Sequence, residues 1–255
     1  MSLKIAVLVK QVPDHEAIVQ IGADGTLDIE DRYVCSFFDE IAVEAALNIR
    51  KANADAEILA LSVGGKRSVE SLRRAMAMGI DQVEQLGDDS MEGADGLAVA
   101  SLMAARLKTF NPDLVLAGKQ AGDDDMGAVG PMVSQLMGMP LVNAATSIDV
   151  DFAGGKVRIT RSMNAETWTV ESGFPIVVTA QKGLAEPHVP VVMRVMKAMR
   201  AKIANTSMED LGASEVDSTG RLKRLGYYSP PTRPQVQMVG DVNELVGVLA
   251  QRGVI

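Results

Sequence analysis

The stretch GKQAGDDDMGAVGP, residues 118–131, follows directly on the apolar run LVLA, residues 114–117. In order, it reads as a buried strand, a glycine-rich turn, three consecutive carboxylates and the start of a helix over residues 127–137. Such a sequence of elements sets backbone N–H groups at the carboxyl edge of a sheet, where open α/β folds receive a phosphate or a nucleotide. Neither the dinucleotide signature GxGxxG nor the P-loop GxxxxGK[ST] is present. The pattern therefore implies a ligand loop with its own device for holding an anion.

Upstream of this loop, strands and helices alternate. Residues 4–9 form a short continuous apolar run, a buried strand, which Pro13 and Asp14 end in a loop over 10–15. Asp24-Gly25 marks a turn inside an excursion over 18–29. A helix is predicted over 37–53, with Ile41, Ala45 and Ile49 on one face and Asp39 and Glu40 in its first turn, where the helix dipole favours acids. Next come a strand over 58–63, the turn Gly64-Gly65, a helix over 68–78 stopped by Gly79, and a strand over 82–86. A helix over 93–109 closes at Asn111-Pro112 before the strand at 114–117. This alternation predicts an α/β fold with a doubly wound, mostly parallel sheet.

Beyond about residue 140 the rhythm changes. Residues 145–150, 156–162 and 167–170 alternate polar and apolar side chains around Gly154-Gly155, which predicts a small antiparallel extension. One more buried strand is expected at 175–179, then a loop with Glu186-Pro187 and Pro190, and a basic helix over 193–202. The prolines of GYYSPPTRPQ, residues 226–235, keep that stretch extended and out of any central strand or helix. A short amphipathic helix is predicted over 241–252. The expected division is an α/β nucleotide-binding domain over 1–204 and a C-terminal arm over 205–255 that packs on another surface.

Composition limits the function. With 47% hydrophobic but 4% aromatic residues, the core must be aliphatic, which suits a parallel sheet covered on both faces. A net charge of −8 and no basic stripe argue against nucleic acid as a partner. The single cysteine, Cys35, excludes a disulfide within the chain and fits a reducing compartment. The chain runs from its start into a strand and holds no apolar run near the ~20 residues of a membrane span. A cytoplasmic protein without direct membrane insertion is expected.

Asp123, Asp124 and Asp125 admit two readings. They could ligate a hard cation, or they could cap the following helix and fix the loop through side-chain-to-backbone bonds. Three adjacent acids cannot all point at one ion, and the chain offers no second carboxylate set, so no metal site is assigned. Because bare aspartates repel a phosphate, an anion must lean on the N–H groups around Gly127–Gly130. His15 and His188 stand beside prolines in loops and read as surface histidines. Cys35, in an apolar setting before a helix, reads as inert, and no nucleophile–base arrangement supports a hydrolase. The stretch RVMKAMRAK, residues 194–202, reads as a solvated face or as a docking surface for an acidic partner.

Several motifs together are specific. VKQVPD (9–14), FDEIAVEAAL (38–47), RRAMAMGID (73–81), GKQAGDDD (118–125) and EPHVPVVMRVMKA (186–198) occur in the order and spacing of the electron-transfer flavoprotein β subunit, which the chain resembles from residue 4 to about 202. The resemblance implies an adenine-nucleotide α-hydrolase-like fold. It further implies a heterodimer in which an α subunit holds most of the FAD, while the β subunit carries AMP and completes the flavin pocket. Such carriers take electrons from primary dehydrogenases, typically of acyl-CoA type, to a membrane quinone oxidoreductase, and the β chain by itself catalyses nothing.

By position, the resemblance assigns the AMP pocket to Leu8, Ser36, Phe37, Phe38, Asp39, Val63, Gly118, Lys119, Gln120, Ala121, Gly122, Asp123, Asp124, Asp125, Met126, Gly127, Ala128 and Val129. His15 falls where the flavin's dimethylbenzene edge is expected. The recognition loop for dehydrogenases maps to 180–202, with Glu186, Val192, Met193, Met196 and Lys197 as docking residues. Val192 stands where relatives usually place Leu, a loss of roughly 1 kcal/mol per missing methylene in a partner pocket. Gly127, Ala128 and Val129 replace the polar side chains that classical members turn to the AMP phosphate. AVGP and VKQVPD resemble the electron-bifurcating branch, where a second FAD takes the AMP site, whereas FDEIAVE and the three aspartates look classical. A stand-alone adenine-nucleotide-binding regulator is a third reading, against which the long proline-bearing arm argues.

Overall fold

The structure, a computed structural model, describes residues 2–212, 220–222, 224–233 and 235–255. Its centre is a run of five parallel strands in the order β7-β6-β1-β8-β12: β1 (Lys4–Leu8), β6 (Glu57–Val63), β7 (Gln82–Leu86), β8 (Leu114–Gly118) and β12 (Ile176–Ala180). From β1 the chain steps to β6 and β7 on one side, then crosses to β8 and β12 on the other. The topological switch point therefore lies between β1 and β8, where open sheets of this kind bind ligands.

Side chains alternate across each central strand, and both faces are covered. Ile5 and Val7 of β1 pack with α1 (Phe37–Ala52) and α2 (Ser68–Met78) through Ile41, Ala45, Leu72 and Met78. Ala6 and Leu8 pack on the opposite face with α3 (Gly96–Phe110) and α4 (Val129–Met137) through Ala100, Met103, Leu107 and Val133. This is the doubly wound α/β architecture that the alternation predicts. Helix ends follow local chemistry: Asp95 caps α3 by accepting from Ala98 N at 2.9 Å, Gly79 ends α2 at φ 132°, and Asn111 ends α3 in the left-handed region at φ 52°.

Three further strands extend the sheet beyond β12: β9 (Leu141–Asp151), β10 (Lys156–Met163) and β11 (Glu166–Ser172). The first part of β9 runs parallel to β12 and the rest runs antiparallel to β10, with Ala144 at φ 59° where the partner changes. Only the second part alternates polar and apolar, so the sequence pattern starts the strand at 145 instead of 141. Residues 10–15, expected as a loop, contain β2 (Gln11–Pro13), paired antiparallel with β5 (Tyr33–Cys35). After β12 come α5 (Val192–Arg200) and β13 (Ala204–Thr206), which adds to the outer edge of β7.

Two compact units are present. One comprises the chain up to Val19 and Ile29–Arg224, and β13 lies within it. The other comprises Gln20–Asp28 and Leu225–Ile255. It holds most of the hairpin of β3 (Val19–Ile21) and β4 (Leu27–Ile29), and helix α6 (Val242–Gln251). Asp241 caps α6 by accepting from Glu244 N at 2.9 Å, and α6 buries none of its residues. No helix among the described residues is long and apolar enough to cross a membrane.

Candidate nucleotide site

Leu8, Val63 and Gly118 are the last residues of β1, β6 and β8, so the residues assigned by resemblance gather at one edge of the sheet. Asp39, in the first turn of α1, ties that edge together. Its Oδ2 accepts from Lys10 N at 2.8 Å and its Oδ1 accepts from Gly118 N at 2.9 Å. One buried carboxylate thus pairs the backbone that leaves β1 with the backbone that ends β8, on either side of the switch point. Burial raises the Asp39 pKa to about 7, against the two N–H bonds and the Lys10 charge, which pull it down.

That shift has a sign. A carboxyl whose folded pKa lies above its ordinary value stabilises the fold fully below that value, and the contribution is lost as pH rises through about 7. Denaturant titrations of the chain are expected to lose roughly a few kcal/mol between pH 4 and pH 8 from this group. Asp39→Asn should be less stable overall, since one N–H loses its acceptor, but flatter with pH. An equally steep profile in that variant would contradict the assignment.

Gly118 is a glycine for want of space. A Cβ there would meet Asp39 Oδ1 at 2.3 Å, Phe38 Cβ at 2.9 Å and Asp39 N at 3.0 Å. Gly127 adopts φ 58°, and a Cβ would lie 2.8 Å from Lys119 O. Gly130 sits under Thr179, whose Cγ2 a Cβ would meet at 2.8 Å, so α4 approaches β12 closely.

The three aspartates order the turn. Lys10 Nζ donates to Asp123 Oδ1 at 2.7 Å and to Asp124 Oδ2 at 3.1 Å. Burial lowers the Lys10 pKa, but these two carboxylates outweigh it and raise the value above the ordinary one. Asp124 Oδ1 also accepts from Met126 N at 3.0 Å, and Asp125, at φ 51°, accepts from Gln120 Nε2 at 2.7 Å. Among the described residues no group of three or more potential ligands is placed to hold a metal ion. The expected cap on the next helix is not formed: the N-cap of α4 is Ala128, which offers no side-chain oxygen, because the acids lie in the turn before it.

The first turn of α4 is therefore uncapped by any side chain. Ser36, which precedes α1, is fully buried, and among the described residues its hydroxyl has no hydrogen-bond partner. Phe38 lies in the same edge, with Lys119 Nζ 5.3 Å from its ring centre and Phe37 edge-on at 5.6 Å. Lys10, inside VKQVPD, joins this edge through its N–H and its ammonium, although the resemblance does not assign it to the pocket. A cavity of about 380 Å³ lies elsewhere, between β5, α1 and α2. Its Arg74 is already paired with Glu40 through two bonds of 2.8 and 2.9 Å, and burial drives the Cys35 thiol well above its ordinary pKa. The sheet edge, with the buried Ser36 hydroxyl and a helix start uncapped by any side chain, is the candidate anion site.

His15 is a surface histidine with its side chain 92% exposed. His188 is not an ordinary one: its Nδ1 lies 2.5 Å from the buried carboxylate of Glu44. Glu186, Val192, Met193, Met196 and Lys197 are all exposed, the last four on α5, which buries Ala198 alone.

A family model described as the electron transfer flavoprotein domain matches residues 25–211. The electron transfer flavoprotein subunit beta of Megasphaera elsdenii is 34% identical, over 95% of this chain and 94% of its own. That of Bradyrhizobium diazoefficiens is 32% identical, over 97% of each chain. The mitochondrial electron transfer flavoprotein subunit beta of Oryza sativa subsp. indica is 33% identical, over 96% of each. With the doubly wound sheet and near-complete coverage of these relatives, the chain belongs to the electron transfer flavoprotein family, among its β subunits.

Proposed function

We propose that this β subunit binds AMP at the β1–β8 switch point and completes the FAD pocket of an α subunit. The heterodimer carries electrons from acyl-CoA-type dehydrogenases to a quinone oxidoreductase. The observation that carries the nucleotide reading is the convergence of Asp39, Lys10 and Gly118 at the switch point, beside an uncapped helix start. An adenylate fits this donor set. Its phosphate suits the N–H groups at the start of α4, and Ser36 offers a hydroxyl whose burial without a partner costs about 1–3 kcal/mol until something pairs it. Gly118 and Gly127 let the loop close tightly on Asp39 and on Lys119 O, which fixes the backbone that the ligand would meet.

Bound FAD supplies the redox chemistry, and this chain contributes shape, hydrogen bonds and docking. Within the proposal, the segment 180–202 docks the dehydrogenase, and the arm beyond Arg224 packs on the α subunit, which would cover Leu245 and Val246 of α6. A second reading, FAD in place of AMP, draws on Gly127, Ala128 and Val129, which bring no polar side chain to the phosphate and suit a pyrophosphate held by backbone alone.

Co-expression with an α subunit should yield a flavin-bearing heterodimer that an acyl-CoA dehydrogenase reduces and that a quinone oxidoreductase reoxidises. The same dehydrogenase should reduce nothing in the β chain alone. A heterodimer without flavin, or inert to both, would contradict the proposal. His15, fully open to a partner, is placed at the flavin edge. His15→Ala is expected to shift the flavin potential by on the order of 30 mV, read by dye-equilibrated titration. An unchanged potential removes His15 from that role.

A further inference from the structure

Helix α1 carries a second buried carboxylate that the nucleotide edge does not use. The Glu44 side chain is 6% exposed. Its Oε2 lies 2.5 Å from His188 Nδ1 and 3.4 Å from His188 N, while Lys51 Nζ stands 3.9 Å from its Oε1. A buried carboxylate is costly unless paired, and His188 supplies the close partner. Six residues on, Arg194 Nη1 donates to Met78 O at 3.3 Å. Helix α2 has no basic residue in its last turn, so Arg194 and Arg50, whose Nη2 donates to Gly79 O at 2.8 Å, serve its carbonyl end from outside. Gly79 makes this approach possible, since a Cβ there would lie 2.6 Å from Arg194 Nη1.

Between these anchors the chain exposes Val189, Val191, Val192 and Met193 at 87, 63, 74 and 83%. Neighbouring apolar side chains without packing of their own need an outside constraint to keep one geometry. We infer that His188 and Arg194 are positioning residues of the docking segment. His188 pins its entry to Glu44 on α1, and Arg194 pins α5 to the carbonyl end of α2. The apolar side chains between them are then presented in a single arrangement, and a partner that binds them bears less ordering entropy. The inference rests on the docking role proposed above.

The test uses the heterodimer with its α subunit, comparing wild type with His188→Ala, Arg194→Ala and His188→Arg. Amide hydrogen exchange over residues 186–200 should quicken at least about tenfold in the two alanine variants, remain unchanged over 118–137, and return toward wild type in His188→Arg, which restores a hydrogen-bonding partner for Glu44. With an acyl-CoA dehydrogenase and saturating acyl-CoA, KM for the heterodimer should rise about tenfold at unchanged kcat. Because His188→Ala leaves Glu44 buried and alone, Glu44→Leu/His188→Ala, which removes both partners, reads the tether if the single variant does not fold. Unchanged exchange in the segment overturns the inference, as does faster exchange with an unchanged KM. A wild-type heterodimer that the dehydrogenase cannot reduce contradicts the docking role instead, and exchange then decides the anchoring on its own.

Discussion

Gly118→Ala is expected to cost the chain about 3 kcal/mol and to reduce nucleotide occupancy of the heterodimer to below about a tenth. The added methyl has nowhere to go. Its neighbours would be Asp39 Oδ1 at 2.3 Å, Phe38 Cβ at 2.9 Å and the Asp39 backbone nitrogen at 3.0 Å, so relief requires the start of α1 to move from the end of β8. That movement breaks the Asp39 bond to Gly118 N and disturbs its partner bond to Lys10 N. Gly122→Ala in the same loop is the control: a methyl there would have no neighbour within 4 Å, and near-neutral stability is expected. Denaturant titration and quantification of released nucleotide read both effects. Equal stability and occupancy in the two variants would contradict the role given to Gly118.

Removal of 225–255 is expected to abolish heterodimer formation while leaving the remaining domain folded. The five parallel strands, their four flanking helices and β13 all lie within the other unit. Helix α6 buries no residue, and Leu225, Tyr228, Val236 and Met238 are each exposed by more than 70%. A well-capped helix with an apolar face and no buried residue is poorly stable by itself and is suited to a partner surface. Size-exclusion chromatography of the co-expressed truncated pair should show separate subunits, with circular dichroism of the truncated chain retaining its α/β signature. An intact heterodimer refutes the arm's role.

Much of this fold is legible in the sequence because both faces of the central sheet are covered. Continuous apolar runs such as KIAVLV and LVLA have no other home, and the glycines and Asn111 that end the helices mark the boundaries. Long-range pairing is less legible. The first part of β9 pairs in parallel with a strand that comes later in the chain, and no local alternation announces this. The edge that gathers Leu8, Val63 and Gly118 is legible as a place but not in how it is held together. That Asp39 bridges β1 and β8 depends on contacts 29 and 79 residues apart, and no motif states them. Reading the aspartates as helix caps fails because adjacency in sequence does not set register: the turn uses all three before α4 begins at Val129. His188 reads as a surface residue because its partner, Glu44, lies 144 positions away on a helix face that periodicity alone gives to the core.

The loop at 118–129 is proposed to hold an adenylate as AMP. Acid release of the ligands from purified heterodimer, followed by chromatographic quantification, tests it most directly. One FAD and one AMP per heterodimer is the predicted result. Two flavins and no AMP would contradict it.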